Sequence, residues 1–125
     1  TFATQRTFSV GKGPNALAAA DLDGDGKLDV LVANTDSDNV SVLLGNGTGN
    51  FATSREYAAG KAPTAIALGD LNADGKIDVV TSNADSNNIA YLQGGTLTPG
   101  TLLSAKLIAS GTAPSAIAIS DVNGN

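Results

Sequence analysis

The chain has no cysteine, no histidine, no tryptophan and no methionine, and only three Phe and two Tyr among its 125 residues. Without cysteine, neither disulfides nor a thiolate metal site can hold the fold together. Without histidine or cysteine, most nucleophilic and general acid–base arrangements are excluded, and no enzymatic activity is expected. Without tryptophan, an aromatic platform for a sugar has few candidates, of which Tyr91 is the main one. No apolar run approaches transmembrane length and no basic segment leads into one, so membrane insertion is not expected. Nor is there a basic stripe of the kind that binds nucleic acid.

What is present is apolar but small. Hydrophobic residues make up 42% of the chain, mostly Ala, Leu, Ile and Val, beside 15 glycines. That mixture suits closely packed, turn-rich β structure, and the length suffices for one modest domain with a core. The formal net charge is −5, yet the acidity is local. Eight of the 12 acidic residues are Asp21, Asp23, Asp25, Asp29, Asp70, Asp74, Asp78 and Asp121, which fall in three short segments. Elsewhere four acids stand against seven Lys and Arg, a balance of +3. Carboxylates crowded in this way repel one another unless a cation joins them.

An internal repeat organises the chain. Pro14–Asp21 (PNALAAAD) recurs as Pro63–Asp70 (PTAIALGD) and again as Pro114–Asp121 (PSAIAISD), at offsets of 49 and 51 residues. Phe2-Ala3-Thr4 recurs as Phe51-Ala52-Thr53, with Arg6/Arg55, Gly11/Gly60 and Lys12/Lys61 in step. The two extra residues of the second interval fall around Gly94, Gly95, Pro99 and Gly100, where a surface turn tolerates insertion.

Each repeat predicts four short strands. The first is Ala16–Ala20 (Ala65–Gly69, Ala116–Ser120), in which Ile66/Leu68 and Ile117/Ile119 alternate with small residues at a period of two. Alanine favours helix, but five residues before a turn are too few for one. The second strand is Asp29–Asn34 (Asp78–Asn83) and the third Val40–Leu44 (Ile89–Gln93), separated by a polar turn. The Gly-rich turn Gly45–Gly49 leads to the fourth, Phe51–Ala58. A four-stranded antiparallel unit repeated at this length predicts an all-β protein made of β-propeller blades, with a β-solenoid or sandwich as the alternative. Residues 1–12 are then the last strand of a preceding blade, 13–61 and 62–112 two blades, and 113–125 the start of a third. Two complete blades cannot close a ring of four to eight. The chain is therefore expected to belong to a larger propeller, or else to self-associate through open blade edges.

The acidic segments have the pattern of metal loops. The first is Asp21-Leu22-Asp23-Gly24-Asp25-Gly26-Lys27-Leu28-Asp29 and the second Asp70-Leu71-Asn72-Ala73-Asp74-Gly75-Lys76-Ile77-Asp78. Oxygen side chains at positions 1, 3 and 5 can converge on one hard cation, Gly26 and Gly75 permit the sharp turn, and Lys27 and Lys76 can offer a backbone carbonyl. Asp29 or Asp78 closes the shell. Oxygen ligands without His or Cys point to calcium, and a flexible loop suits calcium better than magnesium. An EF-hand would carry Glu at position 12, where Val32 and Thr81 stand, and would lie between helices.

The D-x-[DN]-x-DG-x-x-D loop following Gly60-Lys61-Ala62-Pro63, Gly111-Thr112-Ala113-Pro114 and the looser Gly11-Lys12-Gly13-Pro14 resembles the FG-GAP and VCBS repeats. These are the blades of integrin α-type propellers and of many bacterial surface and secreted proteins. The resemblance implies calcium ligation by Asp21, Asp23, Asp25, Lys27 (backbone) and Asp29, and by Asp70, Asn72, Asp74, Lys76 (backbone) and Asp78. The third loop, Asp121-Val122-Asn123-Gly124-Asn125, stops before position 6 and is expected to bind poorly or not at all. The resemblance implies an extracellular or cell-surface module for adhesion or protein binding. Carbohydrate binding, or service as an accessory module of a larger secreted enzyme, are the alternatives. The expected ligand face carries Asp36, Ser37, Asp38 and Asn39 with Asp85, Ser86, Asn87 and Asn88, near Lys12, Lys61 and Thr112.

Overall fold

A computed structural model of the protein describes residues 1–95, 98, 100–120 and 122. It consists of two four-stranded antiparallel sheets in tandem and, among the described residues, no α-helix. The first sheet holds β1 (Pro14–Ala20), β2 (Asp29–Asn34), β3 (Asn39–Leu43) and β4 (Arg55–Ala58) in that spatial order. The second holds β5 (Pro63–Gly69), β6 (Asp78–Asn83), β7 (Asn88–Leu92) and β8 (Lys106–Ala109). The up-and-down order follows from short turns between successive strands, and each sheet is a propeller-type blade.

The two sheets share one register. Ala20 pairs with Asp29 and Gly69 with Asp78, so each acidic loop closes the same β-hairpin. Both first strands begin on a proline followed by an irregularity, Pro14/Ala16 and Pro63/Ala65. Proline has no N–H for the ladder and is tolerated at an edge-strand start. The turn after β2 is a single 3-10 turn, Thr35–Ser37, ended by Asp38 in the left-handed region at φ 56°. Asn87 repeats that conformation at φ 52°. Short polar side chains adopt it at least cost among non-glycine residues.

The core lies between the blades. Leu31 and Val42 are cross-strand partners in the first sheet, and Val79 and Leu92 in the second. They meet in one buried cluster with Leu22, Val40, Ala90 and Leu102, while Tyr57, Ile66 and Leu68 pack on it. Alternation along β2 sends Val30 and Val32 to the opposite face. There, with Leu17, Leu43, Phe8 and Phe51, they line a groove of about 330 Å³. Phe8 meets Phe51 edge to face at 5.1 Å.

Several strand expectations need correction. The third strands start and end one residue early, at Asn39–Leu43 and Asn88–Leu92. The fourth strand is regular only over Arg55–Ala58, and Phe51 makes a single bridge to Gly45. Asn46 bends the intervening turn by accepting the Thr48 and Asn50 N–H groups on its side-chain oxygen. Residues 1–12 and Ala116–Ser120 form no ladder among the described residues. A strand acquires its ladder from a neighbouring strand, and among the described residues neither segment has one paired to it. Even so, residues 114–120 run beside β5. Thr64 Oγ1 donates to the Pro114 carbonyl at 3.1 Å, and a Cβ on Gly69 would stand 3.3 Å from Ile119 Cγ2. Phe2, in register with the half-buried Phe51, is fully exposed.

Gly45 begins the turn after β3, and a Cβ there would stand 2.1 Å from the Leu28 carbonyl oxygen. That oxygen is backbone at the entry to β2 and cannot swing aside. Gly45→Ala should therefore cost about 1–3 kcal/mol of stability by overpacking, read as a lower midpoint in urea unfolding. A loss within experimental error would mean that the turn relaxes freely.

Candidate metal centre

The first loop, Asp21 to Asp29, curls because its backbone visits the left-handed region at Gly24 (φ 78°) and Gly26 (φ 83°). Gly75 (φ 80°) does the same in the second loop, where Ala73 (φ 59°) takes the place of Gly24 at some steric cost. The curl folds N–H groups onto the first aspartate. Asp21 Oδ1 accepts from Gly24 N at 2.8 Å and Asp25 N at 3.1 Å, and its Oδ2 accepts from Gly26 N at 2.8 Å. Asp70 accepts equivalently from Asp74 N at 3.1 Å and Gly75 N at 2.8 Å.

Asp29 and Asp78 are fully buried. Asp29 accepts from Leu22 N and from Gly45 N, both at 2.8 Å. Asp78 accepts from Leu71 N at 2.9 Å, from Gly94 N at 2.8 Å and from the Tyr91 hydroxyl at 3.1 Å. Each carboxylate thus ties the start of its acidic loop to the backbone that leaves the third strand. The loop pattern alone marks this aspartate only as a ninth-position ligand. The signal that could have found the second role is the repeated glycine, Gly45 and Gly94, at one offset from the aspartate.

In the first loop Asp21, Asp23 and Asp29 each bring one oxygen to within 4.8 Å of the other two. Calcium binds oxygen at about 2.3–2.6 Å, so two ligands of one ion lie no more than about 5 Å apart. The donor set and its spacing fit a hard divalent cation. Asp25, the remaining side-chain ligand expected in this loop, lies outside the group. Its Oδ1 accepts from Lys27 N at 2.9 Å and its Oδ2 from Lys27 Nζ at 2.5 Å, the one ion pair among the described residues. The side-chain hydrogen bond from Lys27 lowers the Asp25 carboxyl below the usual carboxylate range, and the same contact raises Lys27. Asp23 is raised, first by partial burial and then by the charges of Asp25, Asp29 and Asp21, with the Asp25 N–H working against them.

The second loop is arranged differently. Asp74 Oδ1 accepts from Lys76 N at 3.0 Å, and its Oδ2 accepts from Asn72 Nδ2 at 3.0 Å and Gln93 Nε2 at 3.3 Å. Burial pushes the Asp74 carboxyl up, but the hydrogen bonds from Lys76, Asn72 and Gln93 prevail and lower it. With Asn72 at position 3, Asp70, Asp74 and Asp78 form no three-carboxylate group like that of the first loop. Both loops occupy one edge of the pair of blades, where Asp21, Asp23 and Gly24 face Gly75, Lys76 and Gly94 across about 150 Å³. Asp121, Asn123, Gly124 and Asn125 of the third loop lie outside the described residues.

The polar turns between second and third strands were expected as ligand residues, and several have structural partners. Asp38 Oδ1 accepts from Ala62 N, and Asn87 Oδ1 from Ala113 N, each at 2.8 Å. Ser37 and Ser86 accept from Lys12 N and Lys61 N, each at 3.0 Å. Asp38 and Asn87 therefore latch each turn onto the segment that begins the next repeat. Beside the first latch lies a groove of about 540 Å³, lined in part by Asp38, Asn39, Glu56, Lys61 and Ser86. Tyr91, the main aromatic candidate for a sugar platform, spends its hydroxyl on Asp78; burial first, and then this bond, raise its pKa.

No curated protein and no solved structure matches the chain. The model of the FG-GAP-like repeat matches it three times, over residues 1–32, 21–81 and 70–125. These overlapping matches run from the first residue to the last, and the chain belongs to the family of FG-GAP-like repeats, non-catalytic modules built as tandem propeller-type blades.

Proposed function

We propose that this repeat module binds calcium in its first and second acidic loops, uses the metal to staple each β-hairpin, and presents its opposite edge to an extracellular protein in adhesion or recognition. The convergence of Asp21, Asp23 and Asp29 is the observation that carries the calcium reading. The proposed ligands are Asp21, Asp23, Asp25, Asp29 and the Lys27 carbonyl in the first loop, and Asp70, Asn72, Asp74, Asp78 and the Lys76 carbonyl in the second. Bound calcium supplies positive charge that relieves carboxylate repulsion, so its free energy of binding adds to that of folding. No reacting group accompanies it, and the role is structural.

An extracellular setting follows from the metal, because loops of this kind fill at the millimolar calcium outside cells. The groove bearing Asp38, Glu56 and Lys61 is the proposed contact surface for a protein partner. Lectin-like carbohydrate binding has less support, since Tyr91 is engaged beside the second loop.

Calorimetric titration with calcium tests the reading. The first loop has four carboxylates against three in the second, and it should bind more tightly. Asp25→Ala should weaken the tighter event and Asp74→Ala the weaker one, each leaving the other loop's affinity unchanged. At calcium 100-fold above the dissociation constant, each filled site should add about 2.7 kcal/mol of stability. Absence of any calcium-dependent rise in the melting temperature would exclude the proposal.

A further inference from the structure

We propose that the Lys27 side chain weakens calcium binding at the first loop by holding Asp25 out of the group that Asp21, Asp23 and Asp29 form. This rests on the calcium reading of that loop. Of its four carboxylates, Asp21, Asp23 and Asp29 converge, and Asp25 does not. Both Asp25 oxygens are engaged by Lys27, one by its backbone N–H and the other by its ammonium group.

The second loop supplies an internal comparison. Lys76 N bonds Asp74 Oδ1 just as Lys27 N bonds Asp25 Oδ1. The other Asp74 oxygen, however, takes neutral amide donors from Asn72 and Gln93. One position of the repeat thus has a charged tether in the first loop and a neutral one in the second, and charge-assisted hydrogen bonds are the stronger kind. To add Asp25 to a cation's ligands, the first loop must break its ion pair. It must also bring a dication close to the released ammonium group, which repels it. The advantage of a fourth carboxylate is therefore partly cancelled by the lysine two residues on.

The experiment is calorimetric titration of the chelator-stripped chain with calcium chloride, in the parent, Lys27→Met, Asp25→Ala and the double variant. Methionine keeps the apolar stem and removes the charge at a half-exposed position. Lys27→Met should bind calcium about 3- to 5-fold more tightly at the first loop. In the Asp25→Ala background, the same change should alter affinity by less than about 1.5-fold, because nothing remains to be released. An equal gain in both backgrounds would show a general effect of charge and overturn the tether, as would no gain in the single variant. Failure of the parent chain to take up calcium overturns the calcium reading and this inference with it. Uptake by the parent without the gain overturns the inference alone.

Discussion

Asp78→Ala is expected to cost about 3–5 kcal/mol of folding stability in excess chelator. The buried carboxylate holds the N–H groups of Leu71 and Gly94 and the Tyr91 hydroxyl. Alanine leaves those donors without an acceptor, the Gly94 N–H in a buried place and the other two partly buried, and each unsatisfied buried group costs about 1–3 kcal/mol. A domain of this size has a total stability of about 5–15 kcal/mol, so the change is a large fraction of it. The chelator separates two roles. A residue acting only as a metal ligand would lose nothing when metal is already removed, whereas one that ties a loop to the strand end loses its full contribution. Urea unfolding followed by circular dichroism gives the number, and a loss below about 1 kcal/mol would refute the structural role. Asp29, fully buried and accepting from Leu22 and Gly45, should behave alike with a somewhat smaller loss, having no hydroxyl donor.

Leu31→Ala should cost about 2–5 kcal/mol. Leu31 is wholly buried, sits opposite Val42 and joins the cluster in which Val79 and Leu92 of the second sheet meet the first. The cavity left by truncation would open inside the joint between two sheets, where each backbone is held by its own ladder and collapse is limited. Val30→Ala is the control, since its side chain is half-buried on the opposite face of the same strand. Its loss should be less than half that of Leu31→Ala. Equal losses would mean that the joint contributes no more than the outer face.

Much of this architecture was legible before any coordinates. A period of two in Ile66/Leu68 and Ile117/Ile119, the acidic loop that closes each hairpin and the recurrence at 49 and 51 residues are local or self-comparing signals. They predicted β2 and β6 to the residue. Gly26 and Gly75 announced a left-handed turn because only a residue without Cβ takes that conformation freely. The oxygen-only composition of the loops pointed to a hard cation for an equally local reason.

Other features depend on contacts between distant residues, which no local pattern encodes. Residues 1–12 and 116–120 carry the repeat's sequence yet form no ladder among the described residues, because pairing belongs to two strands jointly. Asp38, a residue of the expected ligand face, also receives Ala62 N, and Asn87 meets Ala113 N in the same way. Asp25 and Asp29 are both acidic positions of a single loop pattern. One turns outward to an ammonium group, and the other turns inward to the N–H groups of Leu22 and Gly45. The order of aspartates and glycines alone established the repeat and its acidic loops, since a backbone turn answers to its own few residues. Which carboxylates converge was decided by tertiary structure, because each oxygen goes to the strongest donor that folding brings within reach.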